Sequence, residues 1–269
     1  MSDNQFTVFT KPWPEKTLPE LAKFVAGLGF DGVELPVRPN YQVLPENVAK
    51  GLPEAARIFE DHGVKIGSLA GPTDEATVAA CGEAGVPLIR VQAHIDMSIG
   101  YLASEANLRK QYDALIPALA EHGVTIGIQN HYGHDIGSAV GLMHLIEKYD
   151  PKHVGAVLDP AHCGLDGEPD DMAIDIVWSH LVLVNLKAGY WRKIGQSEDG
   201  DVQWKTTWDT GKQGLTSWPT VATELKKRGY KGNLCLTAEY SNLEGQGDLK
   251  GSAVDPLIAQ DIAYARSLF

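Results

Sequence analysis

A glycine followed at once by a short apolar run recurs along the chain, and it restricts the possible folds more than any other feature. The glycines concerned are Gly29, Gly63, Gly85, Gly123 and Gly229. Each closes a stretch with helical periodicity, where a left-handed residue ends a helix without a Cβ clash. The β-branched run behind it favours a strand. Two copies are almost identical, EDHGV at 60–64 and EHGV at 121–124. The pattern therefore predicts a repeated helix-strand unit.

Counting outward from these glycines gives eight predicted strands, most of them continuous apolar runs of the kind found in parallel sheets covered on both faces. They are Phe6–Phe9, Gly32–Val37, Val64–Leu69, Leu88–Ala93, Val124–Gln129, Val154–Leu158, Leu181–Leu186 and Leu234–Ala238. Segments with helical periodicity alternate with them, and a last helix at about 255–268 closes the chain. The longest irregular stretch, Lys187–Ser217, is predicted to be a loop after the seventh strand.

Eight alternating units in roughly 250 residues are typical of a (β/α)8 TIM barrel, an α/β fold. A doubly wound open sheet is the alternative, and it would usually carry a glycine-rich phosphate loop after the first strand. Residues 10–15, TKPWPE, contain no glycine. We therefore expect a single TIM-barrel domain spanning residues 1–269.

The charge balance narrows the possible partners. The 269 residues include 35 Asp and Glu against 23 Lys and Arg, a net charge of −12. This argues against nucleic-acid binding through clustered basic residues, and against binding to anionic membrane surfaces. No apolar run approaches the ~20 residues that cross a bilayer, and the first residues do not resemble a signal peptide. Three widely spaced cysteines suit reduced thiols. We expect a cytoplasmic protein.

Polar residues end four successive predicted strands, where TIM barrels carry their active sites. The four motifs are GIQNH at 127–131, VLDPAH at 157–162, VNLKAG at 184–189 and LTAEY at 236–240. In this order and spacing they resemble the xylose isomerase-like TIM barrels, the sugar phosphate isomerase/epimerase superfamily. The resemblance extends over nearly the whole chain, from GFDGVEL at 29–35 to LTAEY.

The resemblance implies a metal site. Its members typically bind one divalent Mn, Mg or Co ion through Glu, Asp, His and Glu at the ends of strands five to eight. The matching positions here are Gln129, Asp159, Asn185 and Glu239. Two amides thus replace a carboxylate and an imidazole, which removes a negative charge and a strong donor. The implied metal is either weakly bound or absent.

The resemblance also implies enediolate chemistry, in which the glutamates of strands five and eight exchange protons with opposite faces of the substrate. Gln129 cannot accept a proton at neutral pH, so Glu239 remains as the base. We expect an isomerase or epimerase acting on a small sugar or polyol. The alternatives are a lyase or dehydratase working by β-elimination, and a non-catalytic sugar-binding barrel or subunit of a complex. A homodimer or tetramer would be usual in the family.

Other candidates come from the same motifs and from the predicted mouth of the barrel. His162 and Lys187 match family positions and are expected to serve catalysis beside Glu239. The predicted substrate-binding residues are His131, Asp135, Arg192, Trp13, His94 and Glu34. For Glu34 and His94, a hydrogen bond into a neighbouring loop is the alternative. Trp13, Trp191 and Trp204 could stack on a sugar ring or pack their own loops.

Overall fold

The computed structural model describes residues 4–244 and 247–269. Its strands are β1 Gln5–Phe9, β2 Gly32–Pro36, β3 Lys65–Ala70, β4 Leu88–Gln92, β5 Thr125–Gln129, β6 Val154–Leu158, β7 Leu181–Leu186, β8 Ala188–Gln196, β9 Val202–Asp209 and β10 Asn233–Leu236. The α-helices are α1 Leu18–Gly27, α2 Val48–Glu60, α3 Glu75–Ala84, α4 Tyr101–His122, α5 Ala139–Ile146, α6 Pro160–Leu165, α7 Asp170–Val177, α8 Trp218–Lys227 and α9 Asp255–Leu268. Short 3-10 helices lie at Pro45–Asn47, Trp178–His180 and Gly251–Ala253.

Eight parallel strands form a closed barrel in the order β1-β10-β7-β6-β5-β4-β3-β2. The predicted TIM barrel is confirmed, and each predicted strand matches a barrel strand. Closure is direct, because β1 pairs with β2 on one side and with β10 on the other. All eight carboxyl ends therefore open at one rim.

The repeated glycines perform the role that their spacing predicts. All five have left-handed backbone angles, with φ between 65° and 83°. Helix α3 shows the complete unit: Asp74 accepts a hydrogen bond from the Thr77 backbone N–H at 2.8 Å at its start, and Gly85 caps its end. A side chain at such a cap would be strained, so glycine fixes where each helix stops and the next strand begins.

The stretch at Lys187–Ser217 corrects a prediction, because most of it is not a loop. β8 and β9 form an antiparallel hairpin outside the barrel, with Trp191 opposite Thr206 and Lys193 opposite Trp204. The turn closes at Gly200, whose φ is 88°. In β9, Val202, Trp204, Thr206 and Trp208 alternate with more polar residues, and this period of two is the signal for a half-exposed strand. The continuous apolar runs of the barrel strands are a stronger signal than this alternation.

The main hydrophobic core lies between the barrel and its helices. A separate cluster contains the buried residues Phe9, Ala70, Leu88, Val157, Leu183 and Cys235. None of the helices in the described residues is both long and apolar enough to cross a bilayer.

Candidate active site

Glu239 follows β10 and is held between two ammonium groups. Lys11 Nζ lies 2.5 Å from its Oε1, and Lys187 Nζ lies 2.7 Å from its Oε2. Burial alone would raise the pKa of Glu239, but the charges and hydrogen bonds of Lys187 and Lys11 outweigh it and hold the pKa far below its ordinary value of 4.5. The carboxylate is therefore ionised at any physiological pH.

The backbone before this glutamate is strained. Ala238 has φ 53°, a left-handed conformation that costs an alanine roughly 1–2 kcal/mol. Strain of this kind is maintained where the surrounding structure fixes it, and it clusters at functional sites. Here it aims Glu239 at Lys11 and Lys187.

Lys187 is itself held in place by two tryptophans. Its side chain is 4% exposed, and Nζ lies 3.5 Å from the centroid of the Trp208 ring. Its backbone carbonyl accepts a hydrogen bond from Trp218 Nε1 at 3.0 Å. An ammonium held between an indole face and a carboxylate is positioned without solvent.

Beneath this group, four side chains form what we call the interior network: Glu34, Arg90, Gln129 and Asp159. Arg90 donates to Glu34 through Nε at 3.0 Å and also through Nη2, and its Nη1 donates to Gln129 Oε1 at 2.9 Å. Gln129 Nε2 then donates to Asp159 Oδ2 at 2.8 Å. Burial lowers the pKa of Arg90, but the adjacent Glu34 carboxylate more than offsets this and leaves it raised. The amide of Gln129 thus joins an arginine to an aspartate.

Asp159 and His162 lie deeper than the sequence predicts. Both have fully buried side chains, with His162 Nε2 3.5 Å from Asp159 Oδ2. Burial raises the pKa of Asp159 and lowers that of His162 well below its usual value, so the imidazole is neutral. The backbone N–H of Tyr132 points at His162 Nδ1 from 3.4 Å, and the ring packs 4.2 Å from that of His131 and 5.2 Å from that of Trp208. His131, Tyr132 and Trp208 thus pack around the His162 ring, and His162 does not line the cavity that His131 lines.

Asp135 contacts two histidines, His131 and His94. Its carboxylate lies 3.0 Å from His131 Nδ1 and 3.2 Å from His94 Nδ1. Burial raises the pKa of Asp135, but hydrogen bonds from the two histidines outweigh this and lower it. His131 reaches the barrel mouth, so Asp135 orients a residue that lines the mouth.

A cavity of about 240 Å³, here called the mouth cavity, lies at the centre of the rim and is lined by several of the candidate residues. It is lined by Phe9, Lys11, Arg38, Arg90, Gln92, Gln129, His131, Asn185, Lys187, Thr237 and Glu239. A second cavity of about 410 Å³, the side cavity, adjoins it and contains His94 in its wall. Of the predicted site residues, Gln129, Asn185, Glu239, Lys187 and His131 line the mouth cavity. Those outside its lining are Asp159, His162, Asp135, Arg192, Trp13, His94 and Glu34.

The donor atoms at the four positions implied for a metal do not fit a divalent cation. The oxygen of Gln129 accepts from Arg90 while its NH2 group faces Asp159, and both oxygens of Glu239 are bound to ammonium groups. Of the side-chain oxygens at these four described positions, only Asn185 Oδ1 is buried without a hydrogen-bond partner. Within 4–244 and 247–269, no group of three or more His, Cys, Asp or Glu is arranged to hold a metal ion. Cationic side chains take up the oxygens that a hard cation would need.

Several residues of the site were missed by sequence reasoning, namely Lys11, Arg38, Arg90, Phe9 and Trp208. Lys11 and Arg38 each lie two residues beyond a barrel strand, β1 and β2. The rule that strand ends carry function would have found them had it been applied to every strand. Arg90 interrupts the apolar run LIRV, and a charge inside a buried strand indicates a paired or functional group.

The prediction that Trp13 stacks on a substrate is corrected. Its side chain is fully buried, Nε1 donates to Asp255 Oδ1 at 2.9 Å, and its ring meets Phe24 edge-on. Trp191 and Trp204 are partly exposed on the hairpin, and Trp191 Nε1 donates to the carbonyl of Leu165. Trp13 fastens the β1–α1 loop to α9.

Trp13→Ala is therefore expected to destabilise the protein by about 3–5 kcal/mol, because it removes a large buried ring and leaves Asp255 without its donor. Trp204→Ala is the matched control and should change stability by no more than about 0.5 kcal/mol, since Trp204 is 58% exposed. Urea unfolding of both variants measures the difference. Equal stability of the two variants would contradict the core assignment.

Comparison with known proteins agrees with this architecture. Residues 22–268 match the family profile described as xylose isomerase-like TIM barrel. No curated protein was found to match the sequence. A D-psicose 3-epimerase from Clostridium cellulolyticum H10 has a similar structure, with TM-score 0.75 and 15% identity over 98% of this chain and 99% of the other. A 3-keto-D-glucoside 4-epimerase from E. coli gives TM-score 0.74 and 14% identity over 98% and 99%. A probable 3-DHS dehydratase from Bacillus anthracis has a TM-score of 0.70 and 12% identity over 97% of this chain and 98% of the other. At such identities these likenesses show a shared fold.

Proposed function

The chain belongs to the xylose isomerase-like TIM barrel family, and from this premise we propose that it is an enzyme that removes a proton next to a carbonyl group of a small sugar or polyol. Glu239 is the base, and Lys11 and Lys187 stabilise the enediolate. The observation that carries the proposal is the carboxylate bound by two ammonium groups at the wall of the mouth cavity.

Charge conservation within the site supports this assignment. When Glu239 takes the proton, the C–H electron pair forms a C=C bond and the π pair of the carbonyl moves onto its oxygen, which becomes negative. The negative charge that the two lysines neutralise is thus moved from the Glu239 carboxylate to the substrate oxygen. Ammonium groups already fixed in place require little reorganisation at that moment, which is the main source of electrostatic catalysis. The lysines lower the basicity of Glu239, but they also make the substrate carbon more acidic.

Return of the proton from Glu239 to the former carbonyl carbon, with the proton of the neighbouring hydroxyl passing to the former carbonyl oxygen, completes an isomerisation with one base. Gln129 occupies the position of the family's second glutamate, and its amide is bound in the interior network. It has no proton to deliver to the opposite substrate face at neutral pH. One-base isomerisation is therefore favoured over symmetric two-base epimerisation.

β-Elimination is the second candidate, and the position of Lys11 favours it. After proton removal by Glu239, the electron pair expels the oxygen on the β-carbon, and Lys11 donates a proton to it. The side chain of Lys11 is 37% exposed whereas that of Lys187 is 4% exposed, so Lys11 has access to solvent protons. The dehydratase among the structural neighbours shares the fold on which this chemistry would be built.

The test is proton exchange in deuterated water with a panel of ketoses, keto-polyols and keto-sugar acids, monitored by NMR. We expect deuterium at a single carbon, with isomer formation identifying isomerisation and loss of water identifying elimination. Dialysis against a chelator should leave the exchange rate unchanged, because the site's carboxylates are bound to protein cations. A product formed without label would contradict proton abstraction, and a rate that falls on chelation and returns with Mn²⁺ would contradict the role of the lysines.

A further inference from the structure

Arg38 is a cation for which the proton-transfer mechanism has no use. It follows β2 and lines both the mouth cavity and the side cavity, together with Arg90 and Gln92. Its side chain is partly buried. Among the described residues, its guanidinium has neither a hydrogen bond nor an ion pair, in contrast to the guanidinium of Arg90.

The charges around the mouth cavity are unbalanced at this point. Arg90 is paired with Glu34, and Lys11 and Lys187 share Glu239. Within residues 4–244 and 247–269, no carboxylate forms an ion pair with Arg38. Burial and the nearby Arg90 charge lower the pKa of Arg38, although Glu34 and Glu239 act in the opposite direction. An anion placed beside Arg38 would stabilise the charged form of its guanidinium.

Both arginines lie over the ring of Phe9. The Cζ atom of Arg38 lies 5.6 Å from the centroid of the Phe9 ring, and that of Arg90 lies 4.8 Å from it. Cation–π contact holds a guanidinium in place while leaving its N–H donors free. The N–H donors of Arg90 are bound to Glu34 and Gln129. Of the two arginines, Arg38 is therefore the one with unbound N–H donors where the mouth cavity and the side cavity meet.

We propose that Arg38 binds an oxyanion group of the substrate, a carboxylate or a phosphate, at the junction of the mouth and side cavities. The substrate is then a sugar acid or a sugar phosphate, not a neutral sugar. This rests on the proposed function for placing the reacting carbon at Glu239. Anion binding at Arg38 stands by itself. A guanidinium matches both oxyanions through paired N–H donors, and it remains charged at any working pH.

The experiment is isothermal titration calorimetry with D-fructose, D-fructuronate and D-fructose 6-phosphate, which differ only at the last carbon, and with acetate and inorganic phosphate as minimal anions. At least one anion is expected to bind. Arg38→Gln should weaken that binding by at least about 10-fold, and Arg38→Lys should weaken it less because it keeps the charge without the fork. The preferred anion, carboxylate or phosphate, identifies the substrate group. Arg57→Gln, at an exposed position on α2, is the matched control and should leave binding unchanged.

Three results would overturn the proposal: no anion binds, Arg38→Gln binds the anions as tightly as the natural protein, or Arg57→Gln weakens them equally. Binding by Glu239→Gln separates this proposal from the proposed function. If that variant still binds the anion while the natural protein shows no solvent exchange, the chemistry has been misassigned and the anion site stands.

Discussion

Glu239→Gln is expected to lower the rate of solvent-proton exchange by roughly three orders of magnitude, because an amide cannot accept the substrate proton. It also leaves Lys11 and Lys187 without the carboxylate that they share. Stability must therefore be measured alongside the rate, by urea unfolding, so that a loss of folded protein is not counted as a loss of catalysis.

The pH profile offers a second readout for the same residue. The two lysines hold the pKa of Glu239 far below 4.5, so the group stays deprotonated, and able to act as a base, until the pH falls well below that value. The rate should therefore show no acid limb from this carboxylate near pH 4.5. Replacing Lys187 by Met removes one of the two charges, so the acid limb should move to higher pH.

Glu244→Gln is the matched control, since Glu244 is exposed and lies on the segment that follows Glu239. It should leave both the rate and the profile unchanged. Retention of exchange within about 10-fold of the natural rate in Glu239→Gln would show that another group is the base.

The barrel could be predicted from sequence because each unit is local. A helix, its terminal glycine and the following strand lie within a few dozen residues, and their signals require no distant partner. Gly85 illustrates this, since its left-handed cap follows from residues of its own helix. The hairpin of β8 and β9 was missed although it too is local, because its alternation is weaker than an apolar run.

The chemistry of the site could be predicted only in part, because it depends on distant partners. From the sequence, Gln129 is interpreted as a position where an amide replaces a metal-binding carboxylate. In the structure it is a bridge between Arg90, 39 residues away, and Asp159, 30 residues away. Arg90 in turn pairs with Glu34 at a separation of 56 residues. Single positions matched to a family motif carry no information about such pairings.

Breaking the interior network at Arg90 is expected to reduce the stability of the protein strongly. Arg90→Met leaves Glu34 with a 1% exposed side chain and Ser68 Oγ, at 3.0 Å, as its remaining side-chain donor. Removing one partner of a buried ion pair typically costs about 3–5 kcal/mol, because the other charge stays buried without compensation. Urea unfolding at neutral pH measures this loss.

The variant Arg90→Met with Glu34→Gln tests whether that loss comes from the charge. It removes the buried charge and still offers Ser68 an oxygen, so it should recover more than half of the stability lost by Arg90→Met alone. If the double variant is as unstable as Arg90→Met, Arg90 stabilises the barrel by packing on Phe9 and not by its charge.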